Sequence, residues 1–195
     1  MTKIENFIKI MLIIIICLAV ITLVYINIPN ETDDEDIISE DVILTVTFND
    51  QKYEYSLSDL ELIEEYTGSG SYIKSKALDE GNIIINGPFN FTGVKFSTLF
   101  DLIENLPNTY NITVTAVDNW TNQFTQDHVN GIIDVYNETG NITGNSGATM
   151  VLAYKENEEY ILDDGPTRVV FLGENVITLS SNWAKMVATI DISET

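Results

Sequence analysis

Three residue types occur once each, and they restrict the chemistry this chain can perform. Arg168 is the only arginine, His128 the only histidine and Cys17 the only cysteine. Cys17 lies inside an apolar run. The rest of the chain therefore offers no thiolate nucleophile, no cysteine metal ligand and no disulfide. One histidine makes no typical zinc site without carboxylates, and Asp127 and Asp134 are the ones nearby in sequence. A surface histidine is the simpler expectation. Asp118 precedes an Asn-Trp pair and is expected to cap an Asx turn. The acidic run Asp33–Asp36 lacks the glycine and spacing of a calcium loop and reads as a solvated linker.

Charge sets the background for any site. The formal net charge is −21, and it is unevenly spread. Only Lys3, Glu5 and Lys9 precede the apolar run. The remainder carries seven basic and 29 acidic side chains, a net of −22. Such a field disfavours nucleic acid and anionic lipid headgroups and favours solubility and cationic partners.

Residues 10–28 (IMLIIIICLAVITLVYINI) contain no charged side chain. At about 1.5 Å per residue, that run spans a hydrocarbon core of about 30 Å. Lys3 and Lys9 flank one end and Glu31 to Asp36 crowd the other. The positive-inside rule then places the N-terminus in the cytoplasm and the remainder outside. The run is longer than a signal-peptide core and ends without small residues at a cleavage position. The expectation is a single-pass membrane protein: anchor 1–28, acidic linker 29–41 and an extracytoplasmic domain over 42–193.

The elements that must position any site follow from hydrophobic patterning. Residues 42–48 and 53–57 predict a β-hairpin around Asn49-Asp50. Ser58, with Glu61 three residues on, predicts a capped short helix with Leu60, Ile63 and Leu62 on one face. Two strands are expected within 68–86, the second broken by Gly87-Pro88. A second helix is expected from Ser97, burying Leu99, Phe100, Leu102, Ile103 and Leu106 and ending at Pro107. Strands follow over 109–117, 148–154, 160–162, 167–172 and 186–192, with a loop-rich stretch over 118–147. Many strands and two short helices indicate an α+β domain with mainly antiparallel sheet.

The order of four patches resembles the molybdopterin-binding oxidoreductase domain of the sulfite oxidase family. They are FTGVKFSTLFDLI (91–103), VTAVDNWTNQFT (114–125), VLAYKENEEYILDDGPTRVVF (151–171) and SNWAKMVATIDI (181–192). The resemblance implies the family's fold and an anion contact from Arg168 at a pterin site, with Lys74 and Lys76 as further cofactor-binding candidates. The alternative reading of Arg168 is a salt bridge to Asp163, Asp164 or the final strands. Family members that catalyse ligate molybdenum through a cysteine, and this domain has none. The expectation is therefore a non-catalytic binding or structural module with no cofactor, molybdopterin being the group the resemblance implies. Two alternatives stand beside it: a molybdopterin-dependent oxidoreductase without a cysteine ligand, and an unrelated adhesin-like or envelope protein.

Six Asn-x-Ser/Thr sequons occur, at Asn30, Asn90, Asn111, Asn119, Asn137 and Asn141. An outward-facing domain would expose them to an N-glycosylation system, with Asn137 and Asn141 in the polar loop best placed.

Overall fold

The computed structural model describes residues 41–162 and 165–195. The expected anchor, most of the linker, Cys17, Asn30, Asp163 and Asp164 lie outside the described residues. Among the described residues no helix is long and apolar enough to cross a membrane.

In chain order the strands are β1 Leu44–Phe48, β2 Gln51–Tyr55, β3 Glu65–Ile73, β4 Ile85–Lys95, β5 Tyr110–Ala116, β6 Thr121–Thr125, β7 Val135–Tyr136, β8 Ile142–Gly144, β9 Thr149–Glu156, β10 Glu159–Tyr160, β11 Arg168–Leu172, β12 Ile177–Leu179, β13 Ala184–Lys185 and β14 Val187–Glu194. The helices are α1 Leu57–Glu61, α2 Ser75–Asp79, α3 Phe96–Phe100 and α4 Gln126–Val129, and a 3-10 turn covers Ser180–Asn182. One sheet has the order β2-β1-β14-β5-β6. A larger one runs β12-β3-β4-β9-β11-β13, with β10 added to β9. A third, two-stranded sheet pairs β7 with β8. Pairing is mainly antiparallel; β1–β14 and β12–β3 are the parallel pairs.

The hairpin forms where the sequence places it. Asn49 and Asp50 both take positive φ, 49° and 64°, as a tight two-residue turn demands. The first helix is capped two residues earlier than expected. Ser56, not Ser58, is the N-cap, and Asp59 completes the box. Both serines have an acid three residues on. Burial decides between them, because starting at Leu57 points Leu57 and Leu60 into the core. Leu62 is 86% exposed, contrary to the expected face. The second helix begins at Phe96 and stops at Phe100, well before Pro107, which leaves Leu102 in solvent.

Gly87-Pro88 does not break its strand. Gly70 pairs with Phe89 and Tyr72 with Asn86, so Ser71 alone faces Gly87 and Pro88. This bulge falls where proline, lacking an N–H, has no ladder bond to give. Ser71 donates its own N–H to the Val176 carbonyl instead. Several short elements were not legible: α2 and α4, and the strands β6, β7, β8, β12 and β13.

The main core lies between the inner face of the large sheet, the five-stranded sheet and α1 and α3. It includes Leu44, Leu60, Phe96, Leu99, Ile112, Phe124, Leu152 and Phe171. A second apolar cluster covers the other face of the large sheet: Phe91, Val151, Ala153, Ile161, Val170 and Leu172. β9 and β11 are thus buried on both faces, which explains their unbroken apolar sequences.

A second bulge governs which charged side chain faces which way. β4 pairs Thr92 with Lys155 and then Gly93 with Ala153, skipping Tyr154. The alternation of β9 shifts by one residue there. Glu156 consequently stays opposite Phe91 on the outer face, while Lys155 joins Glu61 at 3.1 Å. Tyr160 also donates to Glu61, at 2.7 Å. Burial pushes the Tyr154 phenol up, and Glu65 and Glu61 push it further.

Gly93 is required at this bulge by close approach. A Cβ there would sit 2.1 Å from the Leu152 carbonyl oxygen. Gly93→Ala is expected to lower unfolding stability by about 3 kcal/mol, the upper range for overpacking a core. Gly144→Ala, whose Cβ meets nothing within 4 Å, is expected to change it little. Urea titration of the full chain in detergent reads both.

Candidate functional site

The outer face of the large sheet carries a cavity of about 600 Å3. Its floor is aromatic. Tyr72 from β3 and Phe89 and Phe91 from β4 meet Trp183, which follows the 3-10 turn. Trp183 lies 5.1 Å from Tyr72 and 5.8 Å from Phe91 between ring centroids. Tyr72 stacks on Phe89 at 5.9 Å. The indole N–H donates to Thr178 Oγ1 at 2.8 Å, which fixes the ring's orientation.

The rim is basic. Lys74, Lys76, Arg168 and Lys185 all line this cavity, against one carboxylate among the described residues, Glu156. Four of the seven basic side chains that follow the apolar run are gathered here, although everything after that run sums to −22. The structure thus brings together all three sequence candidates and adds Lys185. No spacing rule ties Lys185 to Lys74. They meet only because β13 pairs with β11 and β3 lies across the same sheet.

Strand register sets the cation pair at the centre. Arg168 on β11 is directly opposite Lys185 on β13. Directly opposed like charges destabilise a ladder by several tenths of a kcal/mol or more. Arg168 is offset by Glu156, whose Oε2 accepts from Nη1 at 2.7 Å. This pair is half-buried. Asp163 and Asp164 lie outside the described residues. Arg168 is therefore in an ion pair and on the cavity wall at once.

A hydroxyl cluster locks the lysine-bearing loop. Ser75 donates its backbone N–H to Ser180 Oγ at 3.0 Å, and Ser181 donates its own to Ser75 Oγ at 3.0 Å. Asn122 Nδ2 donates to the Ser181 carbonyl at 2.8 Å. These bonds hold Ser75, between Lys74 and Lys76, to the turn that carries Trp183 and Lys185. The cations thus belong to a bonded frame, although the three lysines themselves are solvent-exposed.

The other singled-out residues have local roles. Asp118 Oδ1 accepts the Trp120 N–H at 3.0 Å, the expected Asx turn. Asn137 Oδ1 accepts from the backbones of Thr139 and Asn141, so it builds its own loop. Asn90, Asn119 and Asn141 are exposed, whereas Asn111 and Asn137 are half-buried. Among the described residues no three His, Cys, Asp or Glu side chains converge as metal ligands.

His128 is not a free surface histidine. Its Nδ1 accepts from the Thr125 N–H at 3.1 Å and caps α4. Its ring packs on Phe124 and Phe171 at 5.6 and 6.5 Å. Burial pushes its pKa below the ordinary 6.5, against the opposing pull of Asp127 and Asp134.

No family model matches the chain, and no curated protein matches it. Among solved structures it is similar to the sulfane dehydrogenase SoxCD from Paracoccus pantotrophus, with a TM-score of 0.56 at 16% identity. The match covers 78% of this chain and 38% of that one. The likeness shows the fold alone, a distant oxidoreductase-like architecture in keeping with the four sequence patches.

The neutral His128 ring gives a pH prediction. Its folded pKa is lowered, so the unfolded chain takes up the proton first as pH falls. Its contribution is fully present above about 6.5 and is lost as pH falls from there through the lowered value. Melting curves should show a smaller loss of stability over that range in His128→Gln than in the parent. Equal losses would mean the ring is not held neutral.

Proposed function

We propose that this domain is a ligand-binding module whose site is the basic, aromatic-floored cavity, and that its ligand is an anionic small molecule bearing a ring. The carrying observation is the gathering of Lys74, Lys76, Arg168 and Lys185 over Tyr72, Phe89, Phe91 and Trp183. Phosphate-like groups are held by lysine ammonium groups and by the arginine fork. Flat rings gain from stacking on aromatic faces.

The fold likeness and the sequence patches both support a pterin phosphate as one such ligand. The residues present fit that group in part. Arg168 and the three lysines would hold its phosphate, and the aromatic floor would take its ring system. The chemistry such a cofactor supplies when bound is metal-centred electron transfer. This chain has no thiol in the described domain to ligate that metal, Cys17 being its only cysteine. The fit therefore supports binding, and no redox step is derived for this chain. The apolar run 10–28 and the charge asymmetry support a membrane anchor with this domain on the outer face.

The test is ring-phosphate binding by the full chain in detergent. FMN, one ring system with one phosphate, should bind and quench tryptophan fluorescence. Lys74→Ala combined with Lys76→Ala should weaken it at least tenfold, and Lys52→Ala, on the other sheet, less than twofold. Equal loss in all variants, or no FMN binding at all, would overturn the reading. Stoichiometric molybdenum or tungsten in the purified chain would overturn its non-redox part.

A further inference from the structure

The basic rim is not the end of the concave surface. A second cavity, of about 570 Å3, opens on the far side of the same ridge. Lys76, Lys185, Ser75, Ser180, Trp183 and Ala184 line both cavities. The second cavity then continues to Ala116, Asp118, Trp120 and Met186. Two compartments therefore share one wall, and two of that wall's side chains are lysines.

Each compartment has its own aromatic surface. The first has the floor built around Trp183. The second has Trp120, which is 42% exposed although it is among the largest apolar side chains of the domain. Its exposure is imposed by a defined turn. The Trp120 N–H goes to Asp118 Oδ1, its carbonyl accepts the Ala116 N–H, and Asn119 between them takes a φ of 67°. The indole is thereby presented beside the cavity by a locally hydrogen-bonded hairpin end. Met186, whose carbonyl accepts the Val117 N–H, also has positive φ, 56°. Its N-terminal neighbour is Lys185, so wall and ridge are covalently consecutive.

We infer that the ligand is a two-ring anion: one ring on the Tyr72–Trp183 floor, a phosphodiester or pyrophosphate link across Lys76 and Lys185, and a second ring against Trp120. This rests on the reading above, that the first cavity takes a ring-bearing anion, and adds the second compartment to it. A link of this kind places its charge in mid-molecule. That matches a site whose shared wall carries the lysines and whose two ends carry the aromatics. A one-ring phosphate would leave the Trp120 compartment to water. Among the described residues, Asp118, whose carboxylate is engaged by the Trp120 N–H, is the one acidic side chain lining the second compartment.

Stacking of a base on an exposed aromatic has a strength that corresponds to about fivefold to more than a hundredfold in affinity. The experiment compares FAD with FMN on the full chain in detergent, in parent, Trp120→Ala and Trp120→Phe forms. The two ligands share the flavin ring and differ in the pyrophosphate-linked adenosine. FAD is expected to bind at least tenfold tighter than FMN. Trp120→Ala should remove that advantage and change FMN binding less than twofold, whereas Trp120→Phe should keep it within about threefold. The Trp120 backbone bonds do not involve the indole, so the variants keep the turn, and a melting curve checks that they do. Equal FAD and FMN affinities in the parent overturn the two-ring inference and leave the one-ring reading standing. A Trp120→Ala loss that is the same for both ligands also overturns it. Failure of both ligands to bind overturns the inference together with the reading it rests on.

Discussion

The ladder between β11 and β13 sets Lys185 directly across from Arg168. In a domain with three acidic side chains for every basic one, scattered cations would be expected to settle beside scattered carboxylates. Register, not attraction, brings these two together, and the serine cluster at Ser75, Ser180 and Ser181 adds the loop that carries Lys74 and Lys76. Among the described residues Glu156 offsets Arg168, and it is there because the bulge at Tyr154 keeps it on the outer face. The site thus depends on two strand registers and one bulge. None of these is a property of a single residue.

The same bulge divides the chemistry of β9 between two faces. Lys155 turns inward to Glu61 and Tyr160, where it ties α1 to the large sheet. Glu156 turns outward to Arg168. Without the extra residue the two would exchange faces: a lysine would join the rim, and a carboxylate would meet Glu61. Gly93 permits the close strand approach that the bulge requires. The fold's local irregularity and the charge of its site are one structural fact.

Much of the architecture was legible in the sequence, and for physical reasons. Asn49-Asp50 tolerates the positive φ of a tight turn, so the hairpin was readable from composition. The strands β5, β9, β11 and β14 announce themselves by alternation or by continuous apolar runs. Where reading failed, longer-range packing had chosen between locally equivalent options. Ser56 and Ser58 each begin a plausible capping box, and only the burial of Leu57 selects the first. Gly87-Pro88 reads as a strand break until Ser71 is seen to leave its partner unpaired for β12's neighbour Val176. At the site, family resemblance put Lys74, Lys76 and Arg168 on one short list. Lys185 and the aromatic floor were not on it, because the pairing of β13 with β11 and of β3 with β4 and β12 leaves no trace in spacing. The weak signal that existed was the proximity of Lys185 to Trp183 in the last patch.

The central claim is that this rim is an anion site. Anomalous diffraction from crystals soaked in selenate, a tetrahedral oxyanion of phosphate's geometry, tests it most directly. The account predicts an anomalous peak on the ridge formed by Lys76 and Lys185, absent from crystals of the Lys76→Ala, Lys185→Ala protein. Selenate found only elsewhere on the surface, or a ridge peak that survives loss of both lysines, would contradict it.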